Sequence, residues 1–135
     1  MLRTMIASAG AGLLLTLGSA VPVAGVSYVN WGSTSASDQV LKPGCHNYHY
    51  RFQIEPPTDN WAAETFLIGP HGAKISSGAL ISASDPSPGR AVFRLCRPSL
   101  IAGTYKIRMK ITYKNNYDKY EGFVKPSHFR LVHHR

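Results

Sequence analysis

Residues 104–114 alternate strictly between apolar and polar side chains. The apolar members occupy the odd positions, namely Tyr105, Ile107, Met109, Ile111 and Tyr113. The even positions carry threonine, lysine or arginine. Alternation with a period of two over this length predicts a β-strand with one face in a core and the other in water. A helix would instead need apolar residues three and four apart, so this run strongly constrains the fold class.

Two further runs carry the same signal. Residues 47–55 alternate about four large apolar side chains with polar ones, and residues 90–96 form a shorter strand pattern. Elsewhere short apolar runs are separated by glycine and proline turn signals, and no helical periodicity appears after the first 24 residues. About seven short strands indicate an all-β fold, an antiparallel two-sheet immunoglobulin-like sandwich. A closed barrel is the alternative for the same pattern.

The strand faces predict which side chains fill the core. The inward set of the three alternating runs is Tyr48, Tyr50, Phe52, Ile54, Phe93, Leu95, Tyr105, Ile107, Met109 and Ile111. Outward positions on the same strands are polar or charged. We therefore expect the two sheets to meet through these ten residues.

The first 24 residues have the pattern of a secretory signal peptide. Arg3 supplies the positive end, residues 5–17 are largely apolar, and small residues follow at 18–20. Cleavage after Ala20, Ala24 or Gly25 would fit the preference for small residues. A retained membrane anchor is the alternative, but the apolar run is shorter than the roughly 20 residues a span needs. We expect a signal peptide over 1–24 and a single secreted β-sandwich domain over 25–135.

Export affects the interpretation of the two cysteines. In an oxidising compartment Cys45 and Cys96 are expected to form a disulfide bond. If the strand after Cys45 is the second of an immunoglobulin-like order and the strand ending at Cys96 the fifth, the two strands are antiparallel neighbours. Pairing the cysteines then places Tyr48 opposite Phe93, so that aromatic meets aromatic on the inward face.

The charge balance favours anionic partners. Lysine and arginine number 15 against seven acidic residues, giving a formal net charge of +8. Three basic residues, Lys106, Arg108 and Lys110, share the outward face of one predicted strand at a spacing of about 6.5 to 7 Å, and Arg130 on a neighbouring strand could extend the row. We predict that this row binds polyanions by charge. The alternative is a solvated face whose lysines prevent edge pairing.

A second candidate surface is the hairpin that follows this strand. Tyr117 and Tyr120 lie there beside lysines, and flat amphipathic rings could stack on sugars or contact a protein. The alternative is that the tyrosines cap the open end of the sandwich.

Catalytic and metal chemistry lack a supporting pattern. His46 and His49 are three apart on a strand and therefore face opposite sides, so they cannot share a metal ion. No nucleophile elbow of the Gly-x-Ser-x-Gly type is present, and the acidic residues are scattered. We expect no catalytic residues, no metal site, no cofactor and no enzyme activity.

Three segments resemble the bacterial pre-peptidase C-terminal family and related immunoglobulin-like modules of secreted proteins. They are residues 48–52 (YHYRF), 66–72 (FLIGPHG) and 102–107 (AGTYKI), similar to three strand and turn motifs of the family. Together they cover roughly Cys45 to Tyr113, about two-thirds of the expected mature chain. Members are usually appended to secreted hydrolases, whereas this sequence has no pattern of a catalytic domain, so the resemblance implies a bacterial secreted module and carries over no catalytic residue.

The expected function is that of a small secreted binding or structural module. Its expected partner is an anionic envelope or extracellular polymer, or a secreted protein. An inhibitor of, or accessory factor to, a hydrolase is the alternative. Neither specific nucleic-acid binding nor a membrane span after processing is expected.

Overall fold

The computed structural model describes residues 27–96 and 100–133. The predicted signal peptide lies outside these ranges. Within them the chain contains no helix that could cross a membrane. The described part consists of nine β-strands: β1 (Gly32–Ser35), β2 (Gln39–Val40), β3 (Cys45–Ile54), β4 (Trp61–Ile68), β5 (Lys74–Ile81), β6 (Gly89–Cys96), β7 (Gly103–Asn115), β8 (Asp118–Phe123) and β9 (Ser127–Val132).

The strands form two sheets packed face to face. The small sheet has the order β1-β3-β6, and the large sheet has the order β2-β9-β7-β4-β5. Strand β8 pairs with the C-terminal half of β7. All pairings are antiparallel except that of β2 with β9, which is parallel. In this order β1, β3 and β6 correspond to immunoglobulin strands A, B and E, and β4, β7 and β9 to C, F and G. The predicted two-sheet sandwich is confirmed.

A hydrogen-bonded tyrosine fixes the turn into β7. The hydroxyl of Tyr105 donates to the carbonyl oxygen of Ile101 at 2.7 Å and accepts from the backbone N–H of Ile101 at 3.3 Å. A tyrosine near the start of strand F that bonds to the backbone just upstream is the tyrosine corner of immunoglobulin-like sandwiches. Burial raises the pKa of Tyr105 above the ordinary value of a tyrosine, so the hydroxyl remains a donor even in mildly alkaline solution.

The core lies between the sheets and is built from the inward faces of their strands. All ten side chains predicted for the core are buried, which confirms the alternating pattern. Ten further apolar side chains complete it, namely Leu41, Trp61, Ala63, Leu67, Leu80, Leu100, Tyr113, Val124, Phe129 and Leu131. Two hydrogen bonds between side-chain hydroxyls also join the sheets, one between Tyr50 and Thr65 at 3.0 Å and one between Thr34 and Ser127 at 2.6 Å.

The disulfide joins Cys45 to Cys96, as predicted. The two residues are directly opposite in the ladder between β3 and β6, and the same register places Tyr48 opposite Phe93. The ring of Phe93 stacks on Tyr50, with centroids 4.6 Å apart. The predicted register is confirmed from the disulfide to the aromatic pair.

The described residues form nine strands, whereas the sequence predicts about seven. Residues 28–31 contribute only an isolated bridge between Val29 and Val124. The strand β1 forms in a Ser- and Thr-rich segment, although such a composition is typical of a loop. It forms there because Thr34 points inward and bonds Ser127, while the backbone pairs with β3. A six-residue strand, β8, also forms in the hairpin that follows β7.

Candidate functional site

The outward face of β7 carries the predicted basic row. Lys106, Arg108 and Lys110 alternate with buried core residues and project away from the sandwich. The position of Arg108 is exposed, and those of both lysines are partly buried by their neighbours. The structure therefore aligns the three residues, and the strands on either side determine how much charge each one presents.

Acidic residues on both neighbouring strands neutralise Lys110. Its Nζ lies 3.3 Å from a carboxylate oxygen of Glu64 on β4 and 4.0 Å from one of Glu121 on β8. Lys119 approaches the same Glu121 carboxylate at 3.7 Å. Such exposed pairs contribute little to stability, but they leave little net charge at this end of the row. We therefore assign Lys110 to a local charge cluster and not to an anion-binding surface.

Arg108 packs against an aromatic ring. Its guanidinium carbon lies 4.4 Å from the ring centroid of Phe123 on β8, which is a cation–π distance. In the ladder with β4 it is opposite Phe66, whose ring is 5.7 Å from Lys74 Nζ. Cationic and aromatic side chains therefore alternate across four strands of the large sheet. No carboxylate of the described residues forms a salt bridge with Arg108.

Arg130 extends the row onto β9, as the sequence suggested. In the β7–β9 ladder Lys106 is opposite His128, and Arg130 is opposite Thr104 in the next outward row. Within the described ranges neither Lys106 nor Arg130 forms a salt bridge. Lys106, Arg108, His128 and Arg130 together form what we call the β7–β9 basic patch. It lies at the half of β7 remote from the acidic cluster.

The two hairpin tyrosines have different environments. Tyr120 stacks on Tyr113, with centroids 5.1 Å apart, and Tyr113 makes an edge contact at 4.8 Å with Trp31. Tyr120 thus belongs to an aromatic stack that covers one end of the core. Tyr117 lies in the turn and is fully exposed. The preceding Asn116 has a φ of 59°, in the left-handed region that asparagine tolerates.

The outward face of the small sheet is also basic, and the sequence analysis did not single it out. Arg51 on β3 is directly opposite Arg90 on β6, and both are exposed. Arg94 lies two outward positions further along β6. The signal was present in the predicted register, because the pairing that joins Cys45 to Cys96 also makes Arg51 and Arg90 partners.

Two surface hollows meet at this arginine pair. One, of about 370 Å³, and another, of about 550 Å³, are both lined by Arg51, Arg90 and Ser35. Beside the larger hollow, the side chain of Gln39 pairs with the backbone of His49: it donates to the carbonyl at 3.0 Å and accepts from the N–H at 3.1 Å. The arrangement offers hydrogen-bond donors in a concave, positively charged setting.

The described residues contain no group of three or more histidine, cysteine or carboxylate side chains that could hold a metal ion. The ring Nε2 of His46, on β3, lies 2.7 Å from the carbonyl oxygen of Pro43. The cysteines are joined to each other, so neither carries a thiol.

No protein-family model matches the chain, and a comparison with curated proteins finds no significant match.

Proposed function

We propose that this protein is a small, disulfide-stabilised binding module that is exported and binds an anionic polymer of the cell envelope or extracellular space. The observation that carries this proposal is the β7–β9 basic patch, whose cations face outward without an ion-pair partner among the described residues. The disulfide supports an oxidising compartment, because such bonds persist mainly outside the cytosol.

Binding at this patch would act through charge. The patch is carried on two paired strands, so an extended polymer could lie across it and contact several cations at once. The cations are solvated, and their field is screened over about 8 Å at physiological salt. We therefore expect weak, salt-sensitive binding that depends on the number of anionic groups and little on the identity of the sugar or backbone between them.

The test compares two sets of charge-removing variants. A triple variant, Lys106→Gln, Arg108→Gln and Arg130→Gln, should lose most of the affinity for heparin and for a glycerol phosphate polymer. The matched control Lys110→Gln also removes a charge from the β7 face, but that charge is already neutralised by Glu64 and Glu121. It should bind nearly as well as the unmodified protein.

Affinity should be measured over a salt series by titration or surface binding. The affinity of the unmodified protein should fall steeply as the salt concentration rises. Any affinity that the triple variant retains should fall less steeply, because fewer charges take part. Equal affinity of the triple variant and the unmodified protein would contradict a role for the basic patch.

A second candidate function is an inhibitor of, or accessory factor to, a secreted hydrolase. The observation that favours it is the fully exposed ring of Tyr117 at the tip of a two-residue turn, where a protein partner could accommodate it. Tyr117→Ala should leave polymer binding unchanged. If that variant loses binding while the triple charge variant keeps it, the hairpin and not the patch is the interaction surface.

A further inference from the structure

A pair of arginines faces solvent on the small sheet, on the opposite side of the sandwich from the β7–β9 basic patch. Arg51 and Arg90 are directly opposite in the antiparallel ladder of β3 with β6. Opposite side chains in such a ladder are near neighbours, and like charges in this relation are destabilising. Two cations in this relation therefore need a physical explanation.

The hydrogen-bond pattern brings this pair as close as a ladder allows. The backbone N–H and carbonyl of His49 both bond the side chain of Gln39, so they point away from β6. The pair of His49 with Val92 is therefore a non-hydrogen-bonded pair. Because the two kinds of pair alternate, Arg51 with Arg90, two residues along, is non-hydrogen-bonded as well. In such pairs the Cα atoms are about 4.5 Å apart and the side chains are closest.

Neither Arg51 nor Arg90 forms a salt bridge in the described part of the chain. The salt bridges found there involve lysines of β7 and β8 with Glu64 and Glu121, all on the large sheet. The carboxylate of Glu55, just after the end of β3, accepts a hydrogen bond from the side-chain amide of Gln53 and makes no salt bridge with either arginine. Two arginines at facing positions, without a salt-bridge partner, raise the local concentration of anions.

The surroundings supply further donors in register with the arginines. Ser35 on β1 is the partner of Arg51 on the other side of β3, and Ser33 is the partner of Gln53. All four residues line the hollow of about 370 Å³ together with Arg90. The hollow thus presents hydroxyl groups from β1 and guanidinium groups from β3 and β6. Each of these groups can donate a hydrogen bond to an oxyanion.

We propose that the Arg51–Arg90 pair, with Ser33 and Ser35, is a binding site for a tetrahedral oxyanion, the phosphate or sulfate group. Guanidinium groups bind such anions through paired N–H donors, and two of them can hold one group from both sides. The serine hydroxyls would reach the remaining oxygens. An anion between the arginines replaces their mutual repulsion with attraction, which explains why the sheet tolerates the pair.

The test is thermal stability in phosphate against chloride at matched ionic strength. Inorganic phosphate should raise the Tm of the unmodified protein with a saturable dependence on concentration. Arg90→Gln should raise the Tm in chloride, because it removes the repulsion. The same substitution should weaken phosphate binding by roughly tenfold or more, because it removes charged hydrogen bonds. Arg51→Gln should behave in the same way.

The matched control is Arg94→Gln. Arg94 lies on the same face of the same strand and its opposite residue is Asn47, so it carries the same charge without a facing cation. This variant should keep the phosphate effect in full. If phosphate has no effect beyond that of chloride, or if Arg90→Gln and Arg51→Gln retain the full effect, the site does not exist.

Two further arms separate the anion source and the proposed function. Inorganic phosphate and sulfate represent the free anion, and a glycerol phosphate polymer represents the esterified group. Binding of any of these probes that is lost in Arg90→Gln supports the site, and the probes that bind in this way show whether the site accepts the free anion, the ester or both. The triple variant of the β7–β9 basic patch should keep the Tm rise in phosphate. Loss of polymer binding in that variant with an intact phosphate effect would show that the two sites are independent.

Discussion

At the scale of single residues, a hydrogen bond crosses the core between the two sheets. The Tyr50 hydroxyl on β3 meets the Thr65 hydroxyl on β4 at 3.0 Å, and Thr65 is 0% exposed. Burial raises the pKa of Tyr50, so its hydroxyl stays protonated at neutral pH. Each hydroxyl satisfies the other, and a change at either position leaves a buried polar group without this partner.

Tyr50→Phe should therefore lower the free energy of unfolding by about 1–3 kcal/mol, the cost of an unsatisfied buried hydroxyl. Adding Thr65→Val removes the stranded group and keeps the side-chain shape, so the double variant should regain most of the loss. Urea unfolding of the two single variants and the double variant measures this coupling. A double variant no more stable than Tyr50→Phe alone would show that the bond contributes little.

The arginine pair shows what could be predicted about single residues. The sequence register of β3 with β6 follows from the cysteines and from inward aromatic pairing, and extending it by six residues from Cys45 gives Arg51 opposite Arg90. The neutralisation of Lys110 could not be predicted in the same way. It depends on the register of β7 with β4 and β8, which no cross-link or distinctive residue pair marks in the sequence.

At the scale of strands, β7 is the strand that the local sequence predicts most directly, because its alternating pattern needs no information about neighbouring strands. Ile107 is 0% exposed at its centre, whereas Arg108 faces outward against Phe123. Ile107→Ala should cost about 2–5 kcal/mol in the free energy of unfolding, because it leaves a cavity in a packed core. Arg108→Ala should cost at most about 1 kcal/mol, the scale of an exposed cation–π contact.

Chemical denaturation of both variants checks these values. Equal costs for the two variants would contradict the one-sided burial of β7, and reversed costs would mean that the strand faces the other way.

Two strands, β1 and β4, lack a clear alternating pattern because contacts with neighbouring strands determine their structure. In β4 the outward residues include Phe66 and Ile68, so apolar side chains lie on both faces and the alternation is lost. In β1 the only buried residue is Thr34, whose hydroxyl bonds Ser127. Tertiary contacts decide such segments, because local composition alone favours a loop in β1 and gives no face for β4.

At the scale of the whole molecule, the disulfide acts on the unfolded chain more than on the core. Both cysteines lie on the outer face of the small sheet and are exposed, so replacing them leaves the interior packing intact. They are 51 residues apart. The double variant Cys45→Ala, Cys96→Ala should lose about 4 kcal/mol of stability, because the chain-entropy model assigns that amount to a loop of this length.

Urea unfolding of the double variant, the intact protein and the reduced protein measures the contribution of the disulfide to the free energy of unfolding. The reduced protein should match the double variant closely, and an unchanged midpoint in both would contradict a stabilising cross-link.

The side chain of Gln39 has a consequence for how copies of this chain behave together. Strand β1 ends at Ser35, so beyond that point β3 would expose unpaired backbone along its edge. An exposed edge is a template on which another chain can form a strand, which is how ordered aggregates grow. The amide of Gln39 occupies the donor and acceptor of His49 that such an incoming strand would use. One uncharged side chain therefore blocks this part of the edge and discourages fibril-like growth while the protein is concentrated or refolding.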